Sequence, residues 1–291
     1  MSAKVSVLVP VKNEEANLPA CLESLRFADE VFVVDSQSTD NTAKLAEAAG
    51  ARVVQFHYQG GMKKKNWSLA NLPFRNDWVL IVDADERVPP ELAEEIRQAV
   101  ERSDSPDGYY LNRRLIFLSR WIRHCGWYPS WNLRLFRHRR GRYETVPVDA
   151  PAAGDNEVHE HVLLDGRVAY LQQHLLHHDY KSLFHYLERH NRYSDWDAAV
   201  FGRLRQEPLF RRDALAGPVA RKRLLKRLWV RLPFRPLLFF LYLYILRAGF
   251  LDGVAGWHFC LLASIHQYHI SLKMKETAGS YFTASISRNN P

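Results

Sequence analysis

Residues 4–102 alternate short apolar runs with segments of helical period. The runs 5–9, 31–34, 52–56 and 78–82 have strand length and are rich in β-branched residues. Between and after them, 15–25, 41–49, 64–72 and 90–101 repeat apolar positions as helices do. Strands separated by helices predict right-handed crossovers and a mostly parallel sheet. Ligands of such sheets lie beyond the carboxyl ends of the strands. Here those ends read PVKNEE, VDSQSTDNT and VDADE, which predicts a site along one acidic, polar edge. Residues 103–180 are less regular and rich in aromatics, Arg and His, with seven histidines between His159 and His190. The composition shifts again through QEPLFRRDALAGP at 206–218, read as a linker. This predicts an α/β domain at 1–205 and a helical region at 206–291, polar and fraying from 277 onward.

The fourth strand ends in WVLIVDADERVPPEL, which places Asp83, Asp85 and Glu86 together. Close carboxylates repel one another, so a cation, alone or carrying a substrate, is expected among them. Side chains at i and i+2 of an extended segment point the same way, so Asp83 and Asp85 are expected to face one ion. Oxygen ligands suit Mg²⁺ or Mn²⁺. The first strand ends in Pro10-Val11-Lys12-Asn13-Glu14, without the glycines of a dinucleotide site, which argues against NAD or FAD. Glu14 or Asp35 is expected to take hydrogen bonds from a base or a ribose. The bland reading has Asn13 and Glu14 cap the following helix. Ser38, Thr39 and Asp40 are expected to form a turn and an N-cap, leaving Asp35 for ligand contact.

Composition changes this picture only in part. Hydrophobic content of 47% and charged content of 25% are those of a globular protein and exclude wholesale disorder. Three cysteines, Cys21, Cys125 and Cys260, lack metal or disulfide spacing and point to a reducing compartment. The start MSAKVSVLVP lacks the apolar stretch and cleavage site of a signal peptide, so a cytoplasmic location is expected.

Charge changes it more. Residues 201–250 hold twelve Lys/Arg against Glu207 and Asp213, a net +10 within a chain of net +8. Leu224, Leu225, Leu228, Trp229 and Leu232 fall on one helical stripe, and Arg221, Lys222, Arg223, Lys226, Arg227 and Arg231 fill much of the remainder. A basic amphipathic helix with Trp at its margin predicts an anionic membrane surface as partner. The next run, 236–246, has eleven residues. A bilayer core needs ~20, so this run is expected in the interface or packed on the catalytic domain. Nucleic acid would require interleaved stacking aromatics or a known reading module, and neither is present.

The stretches VSVLVPVKNEEANL, VVDSQSTDNT, KKKNWSLA and VLIVDADE follow in the order and spacing of family 2 inverting glycosyltransferases, which the chain resembles. WNLRLFR, VHEHV, LLHHDYKS and FLYLYILRAGFLDGVAGWHF are similar to the lipopolysaccharide-core branch, glucosyltransferases that extend an inner-core heptose. The resemblance covers nearly the whole chain. It implies an α/β GT-A fold, Rossmann-like, with a nucleotide-sugar donor and a divalent metal. It further implies that Glu14 and Asp35 contact the nucleoside and that Lys65 and Asn66 line the nucleotide pocket. Asp83 and Asp85 would form the metal motif, and His177 would reach the diphosphate or the metal. Many members carry a Glu-Asp pair at the catalytic base, where this chain has Val158-His159-Glu160-His161. Glu160 is the expected base on chemical grounds, because inverting transfer needs a carboxylate to take the acceptor hydroxyl proton. Arg134 suits a phosphate or a structural ion pair.

The expected activity moves a hexose, glucose from UDP-glucose, onto a lipid-linked saccharide such as the lipopolysaccharide inner core. The expected place is the inner face of the cytoplasmic membrane. Rival readings are a polyprenyl-phosphate acceptor, a zinc hydrolase built on the histidine cluster, and a non-catalytic membrane adaptor. The HEH run is not the H-E-x-x-H of zinc hydrolases.

Overall fold

The computed structural model describes residues 3–58, 62–144, 161–209 and 218–277, the side chains of 218–220, 222 and 223 excepted. The apolar runs of the N-terminal third form β1 (Ala3–Val11), β2 (Ala28–Asp35), β3 (Arg52–Gln55) and β4 (Trp78–Ile81). Helices α1 (Leu18–Ser24), α2 (Thr42–Ala48) and α3 (Lys64–Asn71) alternate with them. β1 pairs in parallel with β2 and β4, and β2 with β3, as helical crossovers require. Val7 and Val9 of β1 pack on the side of α1, while Leu8, with Phe32, Val34 and Ile81, packs on the side of α3. Both faces are covered, so these strands read as nearly continuous apolar runs.

The segment expected to be irregular is instead largely sheet. After β5 (Glu86–Arg87) and α4 (Pro90–Glu101), it supplies β6 (Gly108–Phe117), β7 (Arg120–Trp121) and β8 (Trp131–Arg137). It also supplies β9 (Gly141–Tyr143), β10 (Val162–Leu164) and β11 (Val168–His177). The main sheet runs β3-β2-β1-β4-β8-β6-β11-β5 with β7 beside β6, and β9 pairs with β10. β8 is antiparallel to β4 and β6, while β11 is parallel to β6. Partly exposed Arg113, Arg114, Gln173 and His174 interrupt the apolar alternation that would have announced these strands.

Two irregularities in this half matter for the site. Leu133 and Leu135 pair with the adjacent residues Tyr110 and Tyr109, so Arg134 is the extra residue of a bulge. Along β11, Tyr170 and His174 pair with Tyr110 and Asn112, leaving β11 two residues longer over that span. The Glu95 carboxylate of α4 accepts the amides of Gln172 and Gln173 there, each at 2.8 Å.

These elements form one compact unit, ending at Asp179, and a second unit holds His124–Gly126 and the chain from Tyr180 onward. The second unit contains α5 (Leu183–Gln206), α6 (Pro218–Arg231), α7 (Arg235–Leu241) and α8 (Gly253–Thr277). The boundary expected at 205 thus falls at the end of α5, which groups with the second unit. α6 turns two of the six basic residues of its predicted face, Arg227 and Arg231, toward the protein, while Arg221 and Lys226 stay exposed. Arg227 is buried and donates to Glu207 Oε2 from Nε and Nη2 at 3.0 and 2.7 Å. Arg231 donates to the carbonyls of Arg227 at 2.9 Å and Arg205 at 2.7 Å. Two of the cysteines that are distant in sequence also meet here. The buried, free thiols of Cys125 and Cys260 lie 3.5 Å apart, beside an Asp252 that accepts His124 N–H at 2.8 Å.

Candidate active site

β4 stops at Ile81, and the acidic residues after it occupy a turn closed by Glu86 N–H donating to the Asp83 carbonyl at 2.8 Å. The expectation that Asp83 and Asp85 project side by side from an extended strand therefore fails. A turn sends their side chains to different partners. Arg134 Nη2 donates to Asp83 Oδ2 at 2.6 Å, and Lys65 Nζ lies 3.4 Å from Oδ1. Glu86 is fully buried. Its Oε1 meets Arg134 Nη2 at 3.2 Å and Arg113 Nη1 at 3.5 Å, while Oε2 accepts Asp83 N–H at 2.8 Å. Burial alone would raise the Asp83 carboxyl, but Arg134 and then Lys65 hold it well below the usual range. Burial likewise opposes the Arg134 charge, and Asp83 with Glu86 overcomes it. For these two acids the chain itself supplies the expected cation. Arg134 is an ion-pair residue here, re-aimed by its bulge.

Asp85 belongs to a different set. His177, the last residue of β11, has Nε2 3.3 Å from Asp85 Oδ2 and 3.8 Å from Asp179 Oδ1. His178 N–H donates to the Asp85 carbonyl at 2.7 Å, which ties the turn to the end of β11. The pairing of His177 with Glu86 fixes the same register. Ligand atoms of Asp85, His177 and Asp179 all lie within 4.8 Å of one another, the one such group among the described residues. Two carboxylate oxygens and one imidazole nitrogen suit Mn²⁺ or Mg²⁺. Burial would lower His177, but Asp85 and then Asp179 raise it to about 8. Asp179 was not foreseen, although its place two residues beyond His177 in HHDYK was the available signal.

The nucleotide-side candidates gather at the ends of β1 and β2. Asp35 is buried, with Oδ1 accepting Ser38 N–H at 3.0 Å and Oδ2 the Gln55 amide at 2.9 Å. It shapes the turn that was expected of its neighbours. Asp40 accepts Thr42 N–H, at the first residue of α2, at 3.0 Å, while the N-cap position itself is Asn41. Glu14 donates its N–H to Thr42 Oγ1 at 2.8 Å and accepts the Asn17 amide at 3.1 Å. Asn13, in the left-handed region at φ 54°, does not cap α1 but accepts Thr39 N–H at 2.8 Å. Asn66 is expected in the pocket lining, yet its amide brackets the Tyr143 backbone, donating at 2.9 Å and accepting at 2.8 Å. Lys65 beside it has Nζ 5.2 Å from the Tyr143 ring centroid. Glu160 lies outside the described residues.

Residues 6–162 match the family described as Glycosyl transferase family 2. An uncharacterized glycosyltransferase of Rickettsia bellii (strain RML369-C) is 40% identical over 110 residues, 38% of this chain and 36% of its own length. The chain thus spans little more than a third of that relative. The lipopolysaccharide core biosynthesis glycosyltransferase LpsC of Rhizobium meliloti (strain 1021) is 27% identical over 91% of this chain and 93% of its own. A crystal structure of glucosyl-3-phosphoglycerate synthase from Mycobacterium tuberculosis, with Mn²⁺, UDP and glucosyl-3-phosphoglycerate, is 28% identical. It overlaps 38% of this chain and 44% of its own at a TM-score of 0.31, too loosely to bear on the geometry above. The mixed sheet with flanking helices and a C-terminal helix is the GT-A-like arrangement expected from the sequence.

Two predictions test the electrostatics. Arg134→Met leaves Glu86 buried beside a single remaining guanidinium and should lower unfolding free energy by roughly 3–5 kcal/mol. Adding Glu86→Gln should restore part of that loss. Urea unfolding of the single and double variants measures both, and additive losses would contradict the pairing. The second concerns ion-free protein. Because His177 is raised in the fold, its stabilisation is full below about pH 6.5 and is lost as pH climbs through about 8. The stability difference between wild type and His177→Gln should therefore shrink by about 2 kcal/mol across that window. A pH-independent difference would show that His177 carries no proton there.

Proposed function

Since the chain belongs to glycosyl transferase family 2, we propose that its acidic edge binds a metal-bridged nucleotide-sugar donor and that it performs inverting transfer of a hexose. We take the donor to be UDP-glucose and the acceptor a lipid-linked saccharide of the lipopolysaccharide inner-core kind. The observation that carries the proposal is the Asp85–His177–Asp179 group at the carboxyl edge of the parallel strands. These three residues would hold Mn²⁺ or Mg²⁺, which when bound offsets the charge that develops on a leaving diphosphate. Asp83, fixed by Arg134, holds the turn in place and keeps Lys65 at the same edge. A lysine held there can meet a phosphate oxygen as a point charge. Glu14 and Asp35 lie at the edge where a nucleoside would sit, and Glu160 remains our base for the acceptor hydroxyl.

The saccharide acceptor rests on the likeness to LpsC, which runs through nearly all of both chains. The likeness to the undecaprenyl-phosphate 4-deoxy-4-formamido-L-arabinose transferase of Shewanella sediminis covers 36% of this chain and supports the polyprenyl-phosphate rival less. A zinc hydrolase built on the histidine cluster is less favoured, because the grouped donors of the described residues include one imidazole rather than the two or three of His₂Glu and His₃ zinc sites. A non-catalytic adaptor would have no use for that set.

Asp85→Asn should leave the fold intact and lower Mn²⁺-dependent turnover of UDP-glucose by at least ~100-fold, or ~2.7 kcal/mol. Steady-state assays at saturating Mn²⁺ check this, and near-normal turnover would remove Asp85 from the metal site. Glu160→Gln should keep donor affinity within a few-fold while transfer falls by the ~10²–10⁴ typical of losing a general base. Titration calorimetry with UDP separates the cases, because a collapse of donor binding would assign Glu160 to the donor side.

A further inference from the structure

The second unit exposes apolar side chains on a scale that single surface leucines do not explain. On α8, Val254, Trp257, Leu261, Ile265 and Tyr268 recur at steps of three and four and stand 71, 42, 39, 36 and 56% exposed. They form a stripe about 21 Å long at the helical rise of ~1.5 Å per residue. The opposite side of α8, with Phe259, Cys260 and Ile270, is buried. α7 and the π-helical turn after it, Tyr242–Leu246, expose Leu237, Leu241, Ile245 and Leu246, and α7 packs on α8. α6 turns Leu225 and Leu228 outward while Arg227 points in. Between α6 and α7, Phe234 sits in the left-handed region at φ 53° and is 78% exposed. A bulky residue held there against its backbone preference needs a compensating contact.

We propose that this face is seated on an anionic lipid bilayer, with the stripes lying flat in the headgroup–acyl boundary. Charge favours that occupant. From Leu225 to Tyr268 the chain has one acid, Asp252, and it is buried against His124. Lys226 and Arg247 stand exposed within the same stretch. A symmetric second copy would bring this basic surface against itself, with no exposed carboxylate on the stretch to pair with it. Phosphate headgroups supply the missing negative charge, and Trp and Tyr on the stripe suit the boundary between headgroups and acyl chains. No single helix among the described residues is long and apolar enough to cross a membrane. The helical runs 224–231 and 235–246 are bent by 119° across the break at 232–234. Flat seating at a depth of ~5–10 Å fits such short pieces. The inference does not depend on the reaction proposed above.

The test is flotation of the full chain with vesicles of phosphatidylcholine, alone or mixed with phosphatidylglycerol. Wild type should float with the mixed vesicles, less with the neutral ones, and should remain partly bound when salt is raised. A combined Leu237→Gln, Leu246→Gln and Val254→Gln variant replaces only exposed side chains. It should lose roughly 100-fold or more in partitioning, since burial of each side chain is worth about tenfold. Should that variant fail to fold, the pair Ile245→Gln and Leu251→Gln, both well exposed, is read in the same way. Unchanged flotation of a folded variant overturns the proposal, as does binding that salt abolishes completely. So does a wild type that ignores vesicles but is a dimer in light scattering, with the variant monomeric.

Discussion

One guanidinium makes the acidic edge possible. Arg134 stands between Asp83, partly exposed, and Glu86, fully buried, two carboxylates of a single turn that would otherwise repel one another. Ion pairs of this kind add little net stability, because desolvation offsets their attraction, but breaking one leaves a buried charge. Their effect is to fix which acid goes where. With Asp83 and Glu86 committed to Arg134, Arg113 and Lys65, Asp85 is directed to His177 and Asp179. The turn thus divides three adjacent acids into a paired set and a cation-seeking set.

Both sets depend on strands from the second half of the sheet. The parallel strands deliver the acids, while β8 brings Arg134 and β11 brings His177. Both strands carry a register irregularity on the way to the site. The extra residue at Arg134 re-aims its side chain, and Glu95 stabilises the longer path of β11 by accepting two of its amides.

The parallel half was legible because both faces of β1, β2 and β4 are buried, so their apolar runs are unmistakable. β6, β8 and β11 were not, since their Arg, Asn, Gln and His residues are accommodated through ion pairs and hydrogen bonds that only the fold reveals. The edge itself was legible from the three acidic strand ends. Its internal division was not, because i, i+2 reasoning assumes an extended backbone and Asp83–Glu86 is a turn. For Asn66 and Asp35, sequence supplies a polar side chain at the right edge without saying that backbone and turn contacts occupy it. Cys125 and Cys260 are the extreme case, 135 residues apart in sequence and in contact in space.

Helix α6 shows why composition alone misjudges a surface. A helix of alternating leucine and arginine has two faces, and either can be turned inward if the partners exist. Here the partners are Glu207 and free carbonyls at the end of α5, so Arg227 and Arg231 go in and leucines come out. Arg235 is buried as well, donating to Ser271 at 2.6 Å. Among the described residues, Arg227, Arg231 and Arg235 are therefore structural, so the net +10 of 201–250 overstates the charge that segment shows to solvent. Coulomb attraction to a headgroup layer is worth only ~1 kcal/mol per basic residue near the surface. With fewer such residues outside, burial of the exposed apolar area outweighs charge in any association this face makes, and apolar burial is nearly indifferent to salt.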